Sequence, residues 1–422
     1  MDAEARTQDI LAPVSTTDRI ELIDVVRGFA LFGVLLANLV WITTDVILTD
    51  ARLAELPTAP LDRIAKQLVV FFVDHKFYTI FSFLFGLGFA VQLSRFEQRG
   101  AGAGLYARRL AILAIIALLH IALLWFGDIL LIYAIAGFGL LLARHWDSRT
   151  LILTAIVLGL SARAAFGLVP LVTRGTTNVA AATSSAAAAE KERKLAIFDG
   201  PSYLAIAREN VAFYYGQLVT AGVWMFLAPQ VFARFLFGLY VGRRRWAAHT
   251  ADILPPVRKV LPWAMVIGVI GNAAMLGLSN LEHAGRLDPD SVWLHLAAPI
   301  EEVGVLAMAF SYVGVMVLLF HSSARWRRRL ERLAPVGRMA LTNYLTHSVL
   351  YLLLLTGVGL GLYGDIGPAW CVALSLAIFS AQVIFSRWWL ARYRFGPAEW
   401  AWRSLTYGQA QPMRRTAVPQ VG

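Results

Sequence analysis

The sequence predicts an all-α fold: a polytopic bundle of about ten membrane-crossing helices, with both termini cytoplasmic. Three observations carry this expectation. Of 422 residues, 58% are hydrophobic and only 15% charged, at a mean hydropathy of +0.62, whereas globular chains average about 45–50% apolar and about 25% charged residues. Ten apolar runs approach or reach the roughly 20 residues that hydrocarbon demands. The loops between them alternate in basic content, as expected when cytoplasmic loops retain Lys and Arg.

In chain order the runs are 22–42, 77–94, 109–127, 129–143, 151–172, 224–242, 260–280, 300–320, 339–357 and 367–386. No small-residue cleavage site follows the first, so it reads as a retained helix and not a signal peptide. The fourth is short and shares a tight turn at Gly127-Asp128 with the third. Residues 64–76 read as an amphipathic approach to the second run, and 203–223 as an interfacial or eleventh helix. An Ala/Thr/Ser tract over 174–194, ending in Glu190-Lys-Glu-Arg-Lys194, reads as a flexible segment or loose surface helix. The chain then divides into a cytoplasmic tail (1–21), a five-helix bundle (22–172), an extracytoplasmic loop (173–223), a second five-helix bundle (224–386) and a basic cytoplasmic tail (387–422).

The formal net charge of +11 sorts by side. The predicted cytoplasmic loops and tails, with Arg109 at their margin, hold 25 of the 38 basic residues against 10 acids. The opposite loops, with Glu301 and Glu302 at their margin, hold 10 basic residues against 16 acids. Basicity is therefore topology, which excludes a nucleic-acid partner and leaves the lipid bilayer, in a bacterial inner membrane, as the expected surroundings. The single cysteine, Cys371, excludes an intramolecular disulfide and a thiolate cluster. The eight His lack metal-ligand spacing, and no phosphate-binding glycine loop, zinc helix or nucleophile elbow occurs. Neither a metal nor a permanently bound cofactor is expected.

Ionisable residues inside spans are costly and mark candidate sites for a small-molecule substrate. In the first span, Asp24, Arg27 and Asn38 fall within an arc of about 60° at 100° per residue, one polar stripe. Asp24 and Arg27 pair at i, i+3; the plainer reading is a structural ion pair and an inter-helix amide bond. His120 and Asp128 bracket the turn after the third span. Imidazole exchanges protons near neutral pH and a carboxylate orients it, but eight residues is too far for a direct bond along one straight helix. A packing role for His120 and a helix-capping role for Asp128 are the alternatives. Asp74-His75-Lys76 sits before the second span, either an acid–base cluster or a solvated helix start. Arg163 and Arg234 serve as ion pairs or anion ligands, and Glu301-Glu302 suits a helix start through the dipole alone. Asn343 and His347 lie one turn apart in the ninth span.

These segments together resemble a known family. Its motifs are matched by Arg19-Ile…Asp24-Val-Val-Arg27-Gly28…Gly33…Asn38, by Lys76-Phe-Tyr…Phe-Ser82-Phe-Leu-Phe-Gly86, and by His120…Gly127-Asp128-Ile-Leu…Tyr133-Ala. Two more are Pro335-Val-Gly337-Arg338-Met-Ala-Leu-Thr342-Asn343-Tyr344-Leu and Phe395-Gly-Pro-Ala-Glu399-Trp-Ala-Trp402-Arg403…Tyr407. The chain resembles, over nearly its whole length, the YeiB-like bacterial inner-membrane proteins, whose C-terminal half is a domain of unknown function (number 418). Its opening span is also distantly similar to that of membrane sugar acetyltransferases such as the heparan glucosaminide enzymes. That similarity implies transfer of an acetyl group from cytoplasmic acetyl-CoA across the membrane, using an Asn on the first span and a nearby His. Asn38 matches that Asn; no imidazole follows it until His75, so His75 or His120 takes the role.

The leading expectation is thus a membrane acyltransferase with acyl-CoA as co-substrate. Arg338, Arg394 and Arg403 bind the donor phosphates, His120 takes the acceptor proton, Asn38 bonds the oxyanion and Asp128 orients the base. The competing readings are a small-solute permease, whose path the polar stripe lines, and a non-catalytic membrane scaffold. The sidedness has a direct check: Ala180→Cys should react with a membrane-impermeant maleimide added to intact cells. Protection of that thiol until the membrane is broken overturns the topology.

Overall fold

Apart from one isolated bridge between Tyr393 and Arg414, all regular structure among the described residues is helical. Lipid offers no partner to a backbone amide, so spanning segments satisfy their own hydrogen bonds along the helix. The computed structural model describes residues 21–98, 102–173, 180–216, 222–244, 250–288, 291, 293 and 297–415. The tail over 1–20, the end of the chain over 416–422 and parts of the predicted outer loop (174–179, 217–221) lie outside the described residues.

The helices are α1 (Glu21–Trp41, continued by a π-helical turn Ile42–Ile47), α2 (Asp50–Glu55), α3 (Ala59–Phe72), α4 (Lys76–Gln98), α5 (Gly102–Leu123), α6 (Leu130–Ala143), α7 (Ser148–Thr173), α8 (Ala180–Phe198) and α9 (Tyr203–Tyr215). They continue as α10 (Val223–Arg243), α11 (Leu254–His283), α12 (Ala298–Ser322), α13 (Ala324–Leu330), α14 (Ala334–Arg338), α15 (Ala340–Leu355), α16 (Pro368–Arg392) and α17 (Pro397–Tyr407). Among the described residues, eight stretches are long and apolar enough to cross a membrane: α1, the near-continuous α3–α4, α5, α7, α10, α11, α12 and α16. The other two predicted spans are α6 and α15, of 14 and 16 residues. At about 1.5 Å per residue they reach about 21 and 24 Å, short of a hydrocarbon core of about 30 Å. Exposed apolar side chains such as Trp263, Val266 and Ile270 on α11 give the bundle an apolar outer surface of the kind lipid solvates.

The ambiguous segments resolve. Residues 64–76 lie largely on α3. The stretch after 203 holds α9, whose 13 residues cannot span and which docks on the end of α5 through Tyr203 Oη donating to Leu123 O at 2.7 Å. The Ala-rich tract is helical over the described part, α8, and is anchored. Lys191 Nζ donates to Thr44 O (3.0 Å) and Leu48 O (2.9 Å), satisfying carbonyls that the end of a helix leaves without partners. Arg52 grips Glu192 with two nitrogens at 2.8 Å each, and Arg193 joins Glu190 to Glu209.

The two halves of the sequence interleave: α10 packs on α4 and α7, α14 and α16 pack on α1, and α11 pairs with α12. Glycines permit the tightest crossings. A Cβ on Gly86 would strike Phe235 O and one on Gly238 would strike Phe83 O, so α4 and α10 meet backbone to backbone. Gly28 and Gly337 do the same for α1 and α14, facing Leu333 O and Asp24 O. A carbonyl fixed in a helix cannot swing aside as a side chain can. Gly337→Ala should therefore cost about 1–3 kcal/mol by overpacking, seen as a lowered Tm in detergent. Gly277→Ala, where nothing lies within 4 Å of the added Cβ, should be neutral or slightly stabilising.

Candidate functional site

Inside the bundle lies a cavity of about 690 Å³. Its middle is walled by aromatic side chains, among them Phe77, Phe81, Phe85 and Tyr133, and its two ends differ in chemistry.

One end gathers four arginines. Arg27 on α1 donates to Asp24 at 2.8 Å. Arg109 on α5 stacks 3.6 Å over the Trp402 ring, whose Nε1 donates to Arg109 O at 2.9 Å. Arg338 and Arg403 complete the group. Glu399 also lines this end but is committed elsewhere: its Oε1 accepts from Leu341 N (2.6 Å) and Thr342 N (3.0 Å) at the start of α15. A carboxylate there satisfies orphan amides and complements the helix dipole. Burial nonetheless pushes the Glu399 pKa above the ordinary glutamate range.

The other end is mixed. Asn38 and Trp41 enter from α1, Gly127 and Asp128 from the turn before α6, Tyr214 from α9, and Arg163, Gln230, Glu301 and Glu302 from α7, α10 and α12. Asp74 and His75 also line the cavity; His75 holds a left-handed backbone (φ 62°) with its ring roughly half exposed. Tyr214 is buried with its hydroxyl unpartnered among the described residues, and burial reinforced by the Asp128 charge pushes its pKa up. The adjacent glutamates serve different helices. Glu301 pairs with Arg163. Glu302 pairs with Arg234 at 2.7 Å, and Arg234 also donates to Thr79 Oγ1 and Gln230 O, at 2.8 Å each.

His120 and Asp128 are in direct contact, which spacing along a straight helix disallows. The helix stops at Leu123, both Leu124 N and Trp125 N bond to His120 O, and the chain turns back. Asp128 Oδ2 thereby reaches His120 Nδ1 at 2.8 Å while its Oδ1 caps α6 through Leu131 N at 2.8 Å. His120 Nε2 meets Ser348 Oγ on α15 at 2.7 Å. The side chains of His120 and Asp128 have no exposed area, and His120 lies behind the cavity wall, where Tyr344 stands 5.4 Å from its ring.

The structure thus brings Arg27, Asn38, His75, Asp128, Arg163, Arg338 and Arg403 to one cavity. Five predicted residues do not line it: Asp24, which accepts from Arg27, His120 behind the wall, and Asn343, His347 and Arg394. Asn343 donates to Val336 O and Ser386 Oγ, and His347 Nε2 bonds to Gln382 Oε1 at 2.9 Å, tying α15 to α16. Arg394 N bonds to Met413 O near the chain end. Arg109, Tyr214 and Ser348 were not singled out by the sequence: Arg109 passes as the second half of an Arg-Arg pair at a loop, and Ser348 as a small residue in an apolar helix. A buried charge pair is costly to break singly. Arg234→Met should lose about 3–5 kcal/mol by stranding Glu302, and Arg234→Met with Glu302→Leu should recover much of it. Equal melting temperatures for the single and double variants would rule that coupling out.

Comparison with known proteins fits the fold. Residues 241–409 match the family described as Protein of unknown function (DUF418). The uncharacterized protein YxaH of Bacillus subtilis (strain 168) is 32% identical over 96% of this chain and 98% of its own length. An uncharacterized 39.9 kDa protein in the amylase 3' region of Bacillus acidopullulyticus is 30% identical over 95% of this chain and 97% of its own. The uncharacterized protein YeiB of Escherichia coli (strain K12) is 28% identical over 92% and 97%. No solved structure matches the chain. With relatives aligned from end to end on a bundle of long apolar helices, the chain belongs to the YeiB-like family of multi-pass membrane proteins that carries the DUF418 region.

Proposed function

We propose that the protein transfers an acyl group from a cytoplasmic acyl-CoA to a hydroxyl or amine, on a lipid or sugar, that approaches from the other side of the inner membrane. One observation carries the reading: Arg27 and Asn38 stand on the same helix and line the same cavity, so that cavity runs about 16 Å along α1 at about 1.5 Å per residue. A guanidinium-rich end suits the phosphates of a donor, because planar guanidinium groups pair bidentately with phosphate. Arg338 and Arg403 take that role, with Arg27 and Arg109 beside them; Arg394 does not line the cavity and is given no part in it. The charge asymmetry of the loops supports a cytoplasmic side for this end and for both termini. At the far end the Asn38 amide is placed to bond a developing oxyanion, and the Asp128–His120 couple is the proton acceptor.

The same length of cavity suits a solute path; a solute accumulating chemically unchanged in liposomes selects that permease reading. Thermal shift of the purified protein against a panel of acyl-CoAs tests the donor. A ligand at about 100 times its Kd should stabilise by about 2.7 kcal/mol, and Arg338→Ala with Arg403→Ala should abolish the shift. Absence of stabilisation by any acyl-CoA overturns the donor assignment.

A further inference from the structure

We propose that Ser348 is a nucleophile, activated by His120 and Asp128, that carries the acyl group as an ester between donor and acceptor. The identity of the donor rests on the acyl-transfer reading; the reactivity of the serine does not.

The end of α5, the turn that follows it and the distant α15 build one hydrogen-bonded line: Asp128 Oδ2 to His120 Nδ1 at 2.8 Å, and His120 Nε2 to Ser348 Oγ at 2.7 Å. With Nδ1–H donating to the carboxylate, the imidazole presents its Nε2 lone pair to the serine hydroxyl, as a general base requires. Asp128 is the positioning residue: its second oxygen is pinned by Leu131 N, so the imidazole is held in one orientation.

A second observation is independent of that line. The Trp125 indole is buried, packs 6.4 Å from the His120 ring and 5.4 Å from that of Tyr351, one turn past Ser348, and its N–H has no acceptor among the described residues. Buried donors are almost always satisfied. A donor left open beside a hydroxyl–imidazole pair is what an anionic tetrahedral oxygen at Ser348 would fill.

Access runs through Tyr344. It lines the cavity one turn before Ser348, and its hydroxyl holds Gly127 O only at a long 3.4 Å. Rotation of that ring joins the cavity to the serine. Ser348 Oγ then attacks the thioester carbonyl and gives its proton to His120 Nε2. The C–S bond breaks, and the thiolate leaves with that proton. The acceptor hydroxyl or amine attacks the resulting ester, its proton passes to Nε2, and the Oγ–C bond breaks as Oγ takes the proton back.

A fluorophosphonate probe tests the serine without any acyl donor: an Oγ–P bond forms and fluoride departs with the proton. Peptide mapping of the full-length protein should find one adduct, on Ser348, forming at least about 100-fold more slowly in His120→Ala and faster in Tyr344→Ala. The wild-type map does not depend on any variant folding. No adduct on Ser348 in either wild type or Tyr344→Ala overturns the proposal. Stabilisation by acyl-CoA without an adduct leaves the donor assignment standing and this one fallen; an adduct without acyl-CoA stabilisation does the reverse.

Discussion

Much of the bundle hangs on the meeting of Arg234 and Glu302, a guanidinium and a carboxylate 2.7 Å apart with side chains 2% and 4% exposed. Neither charge survives alone at that depth, since desolvation costs several kcal/mol per ion. Each therefore dictates where its helix lies: α10 against α12, and, through Thr79 Oγ1, both against α4. The π face of Tyr78, 5.0 Å from the guanidinium, adds a further ligand to the same cation. Glycines Gly86 and Gly238 let α4 and α10 approach closely enough for this to happen. Around that fixed knot the remaining helices need only apolar complementarity, and the cavity opens beside it.

The short helices explain where the cavity lies. Helices α6 and α15 do not reach across the hydrocarbon, so irregular chain must make up the depth. Such backbone is tolerated only where protein or a polar cavity satisfies it. The Trp125–Ile129 connection meets this condition through Asp128, which caps α6 and holds His120 at once. At the start of α15 the amides are met by Glu399, from a helix beyond the last span. Candidate site groups thus gather where helices stop.

All ten predicted runs became helices because a bilayer leaves a long apolar run little alternative, and length and hydropathy are read directly from sequence. The stripe of Arg27 and Asn38 was equally legible, being a property of one helix. What escaped was everything that depends on two elements meeting. Asp128 looks out of reach of His120 in sequence because the apolar run continues through Leu124–Gly127, whereas the helix ends at Leu123 and the chain reverses. Asn343 and His347 looked like site residues because polarity in a span signals function and inter-helix bonding alike; only the position of Gln382 and Ser386 on α16 tells which. Ser348 and Trp125 carry no sequence signal, since neither is ionisable and each is ordinary in an apolar helix.

The contact of Gly28 with Gly337 also bears on how the protein is made. Helix α1 emerges well before the surface it must pack against, which is made some 300 residues later, roughly 15–60 s at about 5–20 residues per second. Throughout that interval a charged carboxylate and guanidinium sit at the edge of the bilayer without their tertiary neighbours. Spacing resolves the difficulty: Asp24 and Arg27 are one turn apart and neutralise each other within a lone helix. The pair lets α1 wait in the membrane, already charge-balanced, for α14 to arrive and lock it in place.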